Sequence, residues 1–198
     1  ISSRSAKAGG RTCRVDQVFL GRAGSGEAVP AFWITPEPWN GTVVVAVGDG
    51  GKKAVAPIDE AGNAGGLAAL VLERGAAVLA PDVFLTGELV PPEGAVRFPL
   101  DPKRHRDFCG YTFGYNRTPL ANRVHDVLTA IGYAWAKPGP HTVHLAGTGE
   151  AGLWVLLARG LAGGAVARTL TDRPSLDFSD VKDVNDLRFL PGGVKYGG

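Results

Sequence analysis

Apolar and polar residues alternate from Cys13 to Leu20 (C-R-V-D-Q-V-F-L), the period of a strand with one buried face. Gly21 to Glu27 breaks the pattern with glycines and a serine, and Ala28 to Thr35 (A-V-P-A-F-W-I-T) reads as a second strand. The two runs predict an antiparallel hairpin. Thr42 to Val47 (T-V-V-V-A-V) is apolar throughout, as in a strand covered on both faces within a parallel sheet. A helix is expected over Ala61 to Arg74, where Leu67, Leu70, Val71 and Leu72 fall near helical spacing ahead of Gly75. Ala76 to Ala80 is the next short buried strand, closing on Pro81-Asp82. Strand, helix and strand in that order imply a parallel α/β sheet.

Phe84 to Thr118 carries no regular period and reads as a long excursion over the carboxyl ends of the strands, where such sheets place ligands. Pro119 to Trp135 is the clearest helix. Leu120, Val124, Val127, Leu128, Ile131 and Ala134 form its apolar stripe, and Pro138-Gly139-Pro140 ends it. A strand is expected at Val143 to Ala146, a helix at Ala151 to Leu161 and a strand at Val166 to Leu170. From Thr171 the pattern fades into Pro, Asp and Gly. The expected organisation is a flexible lead-in over residues 1–12 and a single α/β domain over 13–198.

Composition narrows the function classes. A chain of 198 residues suits one sizeable core, and 44% hydrophobic with 20% charged residues is ordinary for a globular protein. Net charge is +2, and the one short basic run, Lys103-Arg104-His105-Arg106, lies beside Asp101 and Asp107 as a solvated loop would. Nucleic acid is therefore not an expected partner. No stretch approaches the ~18 apolar residues of a membrane span, so no membrane partner is expected. The chain holds no methionine and reads as a processed form or a piece of something longer. Cys13 and Cys109 pair if the chain is exported, the compartment expected, and are otherwise free buried thiols.

The chemistry concentrates in Val143 to Gly152 (V-H-L-A-G-T-G-E-A-G), a strand running into a glycine turn that opens a helix. Read as G-x-G-x-x-G, with Gly147, Gly149 and Gly152, it fits a dinucleotide-binding turn, and Asp172 stands at about the 20-residue separation where the ribose-binding acid belongs. The fold that uses this fingerprint normally builds five further strands after it. Here only Arg173 to Gly198 remains, too little for one mononucleotide-binding half. Read as G-x-S-x-G, the same decapeptide is a nucleophile elbow with Gly149 in the place of the serine.

The second reading draws on the whole chain. V-V-V-A-V-G-D-G-G-K-K-A (Val43–Ala54), A-V-L-A-P-D-V-F-L-T-G-E (Ala77–Glu88), Y-T-F-G-Y-N-R-T-P-L-A-N-R-V-H-D-V-L-T-A-I (Tyr111–Ile131), the elbow and P-G-G-V-K-Y-G-G (Pro191–Gly198) resemble the acetyl-xylan-esterase-like branch of the α/β-hydrolases. The resemblance implies an α/β-hydrolase-like, mostly parallel sheet with helices on both faces, here without its last two strands. It implies an ester or carbohydrate ligand, no cofactor and no metal. A further implied partner is the remainder of a longer parent chain. In that family's geometry, the N–H of Glu150 and one from Asp49 or Gly50 would form the oxyanion hole.

A triad hydrolase needs a hydroxyl, a histidine and an acid, and in this family they follow along the chain as nucleophile, acid, histidine. Gly149 has no side chain. A register shifted by one would offer the Glu150 carboxylate as nucleophile. Asp172 fits an acid position, but His105, His125, His141 and His144 all precede the elbow and read as surface or hydrogen-bonded histidines. Ser25 has nothing near it to activate it, and Asp177, Asp180, Asp183 and Asp186 read as loop acids. Rings of Phe108 to Tyr115 wall a carbohydrate pocket or fill the core. The expectation is an esterase-like domain without triad catalysis, with a non-catalytic carbohydrate-binding or structural domain of a larger enzyme as the alternative and an NAD(P)-binding protein using Gly147, Gly149, Gly152 and Asp172 as the second.

Overall fold

The computed structural model describes residues 2–91, 114–172, 178–183 and 186–196. The expected hairpin is present as β2 (Arg11–Leu20) and β3 (Val29–Glu37), paired antiparallel with Val15 opposite Ile34 and Leu20 opposite Val29. Residues 1–12, expected as a lead-in, instead contain a strand, β1 (Ser2–Ala8), which pairs antiparallel with β2. Its inward residues are only Ala6 and Ala8, both buried, so the strand carries almost no hydrophobic signal of its own. Backbone pairing to β2 holds it in place.

The parallel part consists of β4 (Thr42–Gly48), β5 (Ala77–Pro81), β6 (Thr142–Thr148) and β7 (Arg168–Thr171). The full sheet has seven strands in the order β1-β2-β3-β5-β4-β6-β7. β5 follows β4 in the chain but lies on its other side from β6, so the sheet grows in both directions from β4. All strands except β1 and β3 run the same way.

Helices cover both faces. Over one lie α3 (Pro119–Ala136) and α4 (Ala151–Ala162), burying Leu120, Val127, Ile131, Trp154 and Val155 against Val43, Val45, Leu79 and Leu145. Full burial of each such side chain contributes about 1.5–3 kcal/mol. On the other face α1 (Lys52–Val55) and α2 (Gly66–Glu73) pack on Val15, Phe32, Ile34 and Val78. The α2 helix starts later than expected, because residues 58 to 65 turn back to bridge Lys7 with Asn63 and Ile58 with Ala64. In α3, Pro119 supplies a fixed first-turn φ and the Thr118 hydroxyl caps the Ala121 N–H at 3.2 Å. No described helix is long and apolar enough to cross a membrane.

Candidate functional site at the glycine turn

Register alone brings the loops of interest together. Gly48 at the end of β4 pairs with Thr148 at the end of β6, and Gly147 pairs with Thr171 at the end of β7. The Asp49 loop, the Gly149–Glu150 turn and Asp172 therefore meet at one edge. Of the residues singled out in the sequence, Asp49, Gly149, Glu150 and Asp172 converge.

The turn is built as an elbow. Gly149 has φ +62°, in the left-handed region, immediately before α4 begins. Close approach of strand and helix explains the outer glycines: a Cβ on Gly147 would stand 2.8 Å from the Ala151 carbonyl oxygen and 2.9 Å from the Gly152 Cα. The spacing that suggested a phosphate cradle thus has a packing origin.

The turn's donors are already used. The Gly149 N–H donates to Asp172 Oδ1 at 2.8 Å, and the Glu150 N–H donates to Asp49 Oδ2 at 3.3 Å. Two carboxylates occupy the amino end of α4, where they complement the helix dipole. A pyrophosphate would meet their charge, so the arrangement opposes the dinucleotide reading of Gly147, Gly149, Gly152 and Asp172. The oxyanion-hole expectation changes as well. Asp49 faces the turn with its carboxylate rather than as a free backbone donor, and Gly50 lies exposed beside it. An incoming carbonyl oxygen reaches the Glu150 N–H only after Asp49 leaves.

Two sets of residues missed by sequence reasoning hold this edge. The buried Asp82 carboxylate accepts from the Lys52 N–H at 2.6 Å, from the Lys52 ammonium and from the Glu88 N–H at 3.1 Å. Lys52 also pairs with Glu88 at 2.8 Å. This clasp joins the loop after β4 to the loop after β5. On α3, Arg123 Nε donates to the Phe84 carbonyl at 3.0 Å, while Asp126 accepts the Phe84 N–H at 2.7 Å. One helical turn thereby grips both backbone groups of a single loop residue. Arg123 is only 6% exposed and lies 4.4 Å from the centroid of the Trp154 ring. Burial lowers its proton affinity and Glu150 opposes that shift. Burial pushes the Asp126 carboxyl up, with the Phe84 hydrogen bond opposing. The sequence signal was the presence of charges on the otherwise apolar face of α3.

The histidines have other engagements. His125 Nε2 stands 2.6 Å from Glu27 Oε1, and Arg22 Nη2 stands 2.6 Å from the same oxygen. His141 lies ahead of β6, its N–H bonded to the Gly41 carbonyl, and His144 sits in mid-strand, where burial lowers its proton affinity. Ser25 donates to the Arg22 carbonyl at 2.7 Å. Arg188 binds Asp186 through two nitrogens at 2.9 and 2.6 Å, accounting for one of the loop acids. His105, Cys109, Asp177, the basic run at 103–106 and most of the ring-bearing segment 108–115 lie outside the described residues. Cys13 is buried, which pushes its thiol up. Among the described residues no three His, Cys, Asp or Glu side chains are placed to share a metal ion.

Hydrogen bonds from Arg22 and His125 hold the Glu27 carboxyl down at about 2 against an ordinary 4.5. A depressed folded-state value means that the group stabilises the fold above the unfolded value and loses that contribution as pH falls toward the folded one. The melting temperature of the native chain should therefore exceed that of Glu27→Gln at pH 6. The difference should shrink between about pH 4.5 and 2 and vanish below. A pH-independent difference in scanning calorimetry would assign the effect to packing instead.

No family model and no curated protein matches the chain. Solved structures do. A putative acetyl xylan esterase from Bacteroides fragilis aligns at 11% identity with a TM-score of 0.54, over 85% of this chain and 46% of that one. Acetyl Xylan Esterase 1 from Thermoanaerobacterium sp. aligns at 16% identity and 0.53, covering 85% and 50%. A bacterial heroin esterase aligns at 18% and 0.51, covering 91% and 52%. The chain spans about half the length of each. At these identities the likeness is one of fold, and the fold is α/β-hydrolase-like.

Proposed function

We propose that this chain is an esterase-type α/β-hydrolase-fold protein that has given up triad catalysis and retains, at most, a binding role toward acetylated carbohydrate. The observation that carries this reading is the elbow itself. Gly149, which this reading puts at the nucleophile position, has a left-handed backbone at the strand-to-helix turn and no side chain, and the Gly149 and Glu150 N–H groups already donate to Asp172 and Asp49. A hydrolase step needs an activated nucleophile and a base to take its proton. The described histidines are placed elsewhere, His125 at Glu27, His141 ahead of β6 and His144 within that strand. The substrate class is supported by the segment resemblance and by the two acetyl xylan esterases among the fold's neighbours.

Hydrolysis of p-nitrophenyl acetate by the purified chain tests this. Turnover should equal the buffer rate, while the chain is retained on acetylated xylan more than on the deacetylated polymer. A rate abolished by Glu150→Gln but kept in His→Ala variants would instead make Glu150 a nucleophile and overturn the proposal.

A further inference from the structure

Three aromatic rings and a lysine meet at the end of the sheet opposite the elbow, where β4 and β6 begin and α3 ends. Trp33 is buried on β3, and the rings of Trp39 and Tyr133 stand edge-on to it. Their centroids lie 6.4 and 6.2 Å from that of Trp33, at interplanar angles of 85° and 69°. The Trp39 indole N–H donates to the Thr42 carbonyl at 2.8 Å, which fixes that ring. Lys137 leaves the end of α3 in an extended conformation. Its ammonium lies over two ring faces, 5.1 Å from the Tyr133 centroid and 5.8 Å from that of Trp33. The turn beyond closes on the third ring: Gly139 has φ +106°, and a Cβ there would stand 3.0 Å from Trp39 Cζ3.

We propose that Trp33 and Tyr133 form a cage for a trimethylammonium group, with Lys137 as its built-in and displaceable occupant. Charge is the first reason. An aromatic face attracts a cation within about 6 Å of its centroid, and these two faces share one positive nitrogen. The second reason is how that nitrogen is held. Lys52 and Arg123 also lie over rings, but Lys52 has two carboxylates and Arg123 the Phe84 carbonyl. Among the described residues no carboxylate or hydrogen bond holds the Lys137 ammonium, so its departure strands no polar partner. The third is the chemistry of the occupant. A lysine ammonium is a compact, strongly hydrated charge on a flexible stem. A trimethylammonium spreads the same charge over methyl groups, so it adds apolar contact with the rings to the same attraction.

Titration with choline, followed by the NMR signals of the Trp33 and Tyr133 rings, tests the cage against the neutral isostere 3,3-dimethylbutan-1-ol. In the native chain Lys137 competes as a tethered cation, so choline should bind with a dissociation constant on the order of 10 mM or weaker. Lys137→Ala should bind choline about tenfold more tightly and prefer it to the isostere by about tenfold. In that background Tyr133→Phe, which keeps a ring, should stay within about threefold, whereas Tyr133→Leu should lose about tenfold for choline and under about twofold for the isostere. Sedimentation with dioleoylphosphatidylcholine vesicles separates the two sources of the group. Co-sedimentation of the chain assigns a lipid headgroup, and choline shifts without it assign a free solute. No choline binding by Lys137→Ala, equal binding of choline and its isostere, or equal losses of both in Tyr133→Leu would overturn the proposal.

Discussion

Asp82→Ala should destabilise the protein by about 3–5 kcal/mol, the usual cost of removing one partner from a buried ion pair. The side chains of Lys52 and Asp82 are 3% and 1% exposed, so water cannot replace the lost carboxylate. The Lys52 ammonium would keep Glu88, whose side chain is 55% exposed, and the face of the Phe32 ring at 5.2 Å, and the N–H groups of Lys52 and Glu88 would lose their acceptor. Nor does the loop have slack, because a Cβ on Gly51 or Gly87 would fall on the Asp82 carboxylate. In a chain of this size the melting temperature should drop by about 10 °C, measured by circular dichroism. Glu88→Gln, on the solvent side of the same clasp, should cost less than about 1 kcal/mol. The double variant Asp82→Asn with Lys52→Met keeps an amide oxygen for the backbone donors and removes the stranded charge, so it should lie between them. A loss of under about 1 kcal/mol for Asp82→Ala would mean that the pair does not hold the two loops together.

That clasp also marks where sequence reasoning stopped. The hairpin, the buried strands β4 to β6 and helices α3 and α4 were legible because hydrophobic period is set by burial. Each of those segments buries a large apolar face. β1 was illegible for the converse reason, since its contribution is backbone pairing and two alanines. The four-residue α1 is too short to show a period at all. At the site, the strand-to-helix turn was evident from its glycines, whereas the convergence of Asp49, Glu150 and Asp172 rests on the observed pairing of β4 with β6 and β6 with β7. What a pattern could not reveal was the role of each charge. Asp49 looked like a loop residue offering its backbone, yet it is the carboxylate that meets Glu150. Lys52, Asp82, Arg123 and Asp126 are long-range partners of loop backbone, and pairing across tens of residues leaves no local periodicity.

Gly149→Ser should not create an esterase, and it should cost about 2–3 kcal/mol of stability. The first part of that cost is conformational: a residue with a Cβ in the left-handed region costs about 1–2 kcal/mol relative to glycine. The second is local, because a Cβ at this position would fall on the Asp49 carboxylate. Asp49 must then swing away and release the Glu150 N–H, a loss of about 1 kcal/mol. In an Asp49→Ala background that second part is already spent, so the serine should be cheaper there by about 1 kcal/mol. Urea denaturation of the four proteins in this cycle measures the coupling. The same four proteins, assayed with p-nitrophenyl acetate, separate structure from chemistry. Removal of Asp49 exposes the Glu150 N–H and opens the elbow, but the described histidines are placed elsewhere, and a serine hydroxyl that none of them activates remains a poor nucleophile at neutral pH. All four should therefore stay at the buffer rate. A burst of p-nitrophenol from the double variant, matched to the protein concentration, would reveal a base acting on residue 149. The elbow would then be a site one substitution away from activity rather than one whose catalytic partners are absent.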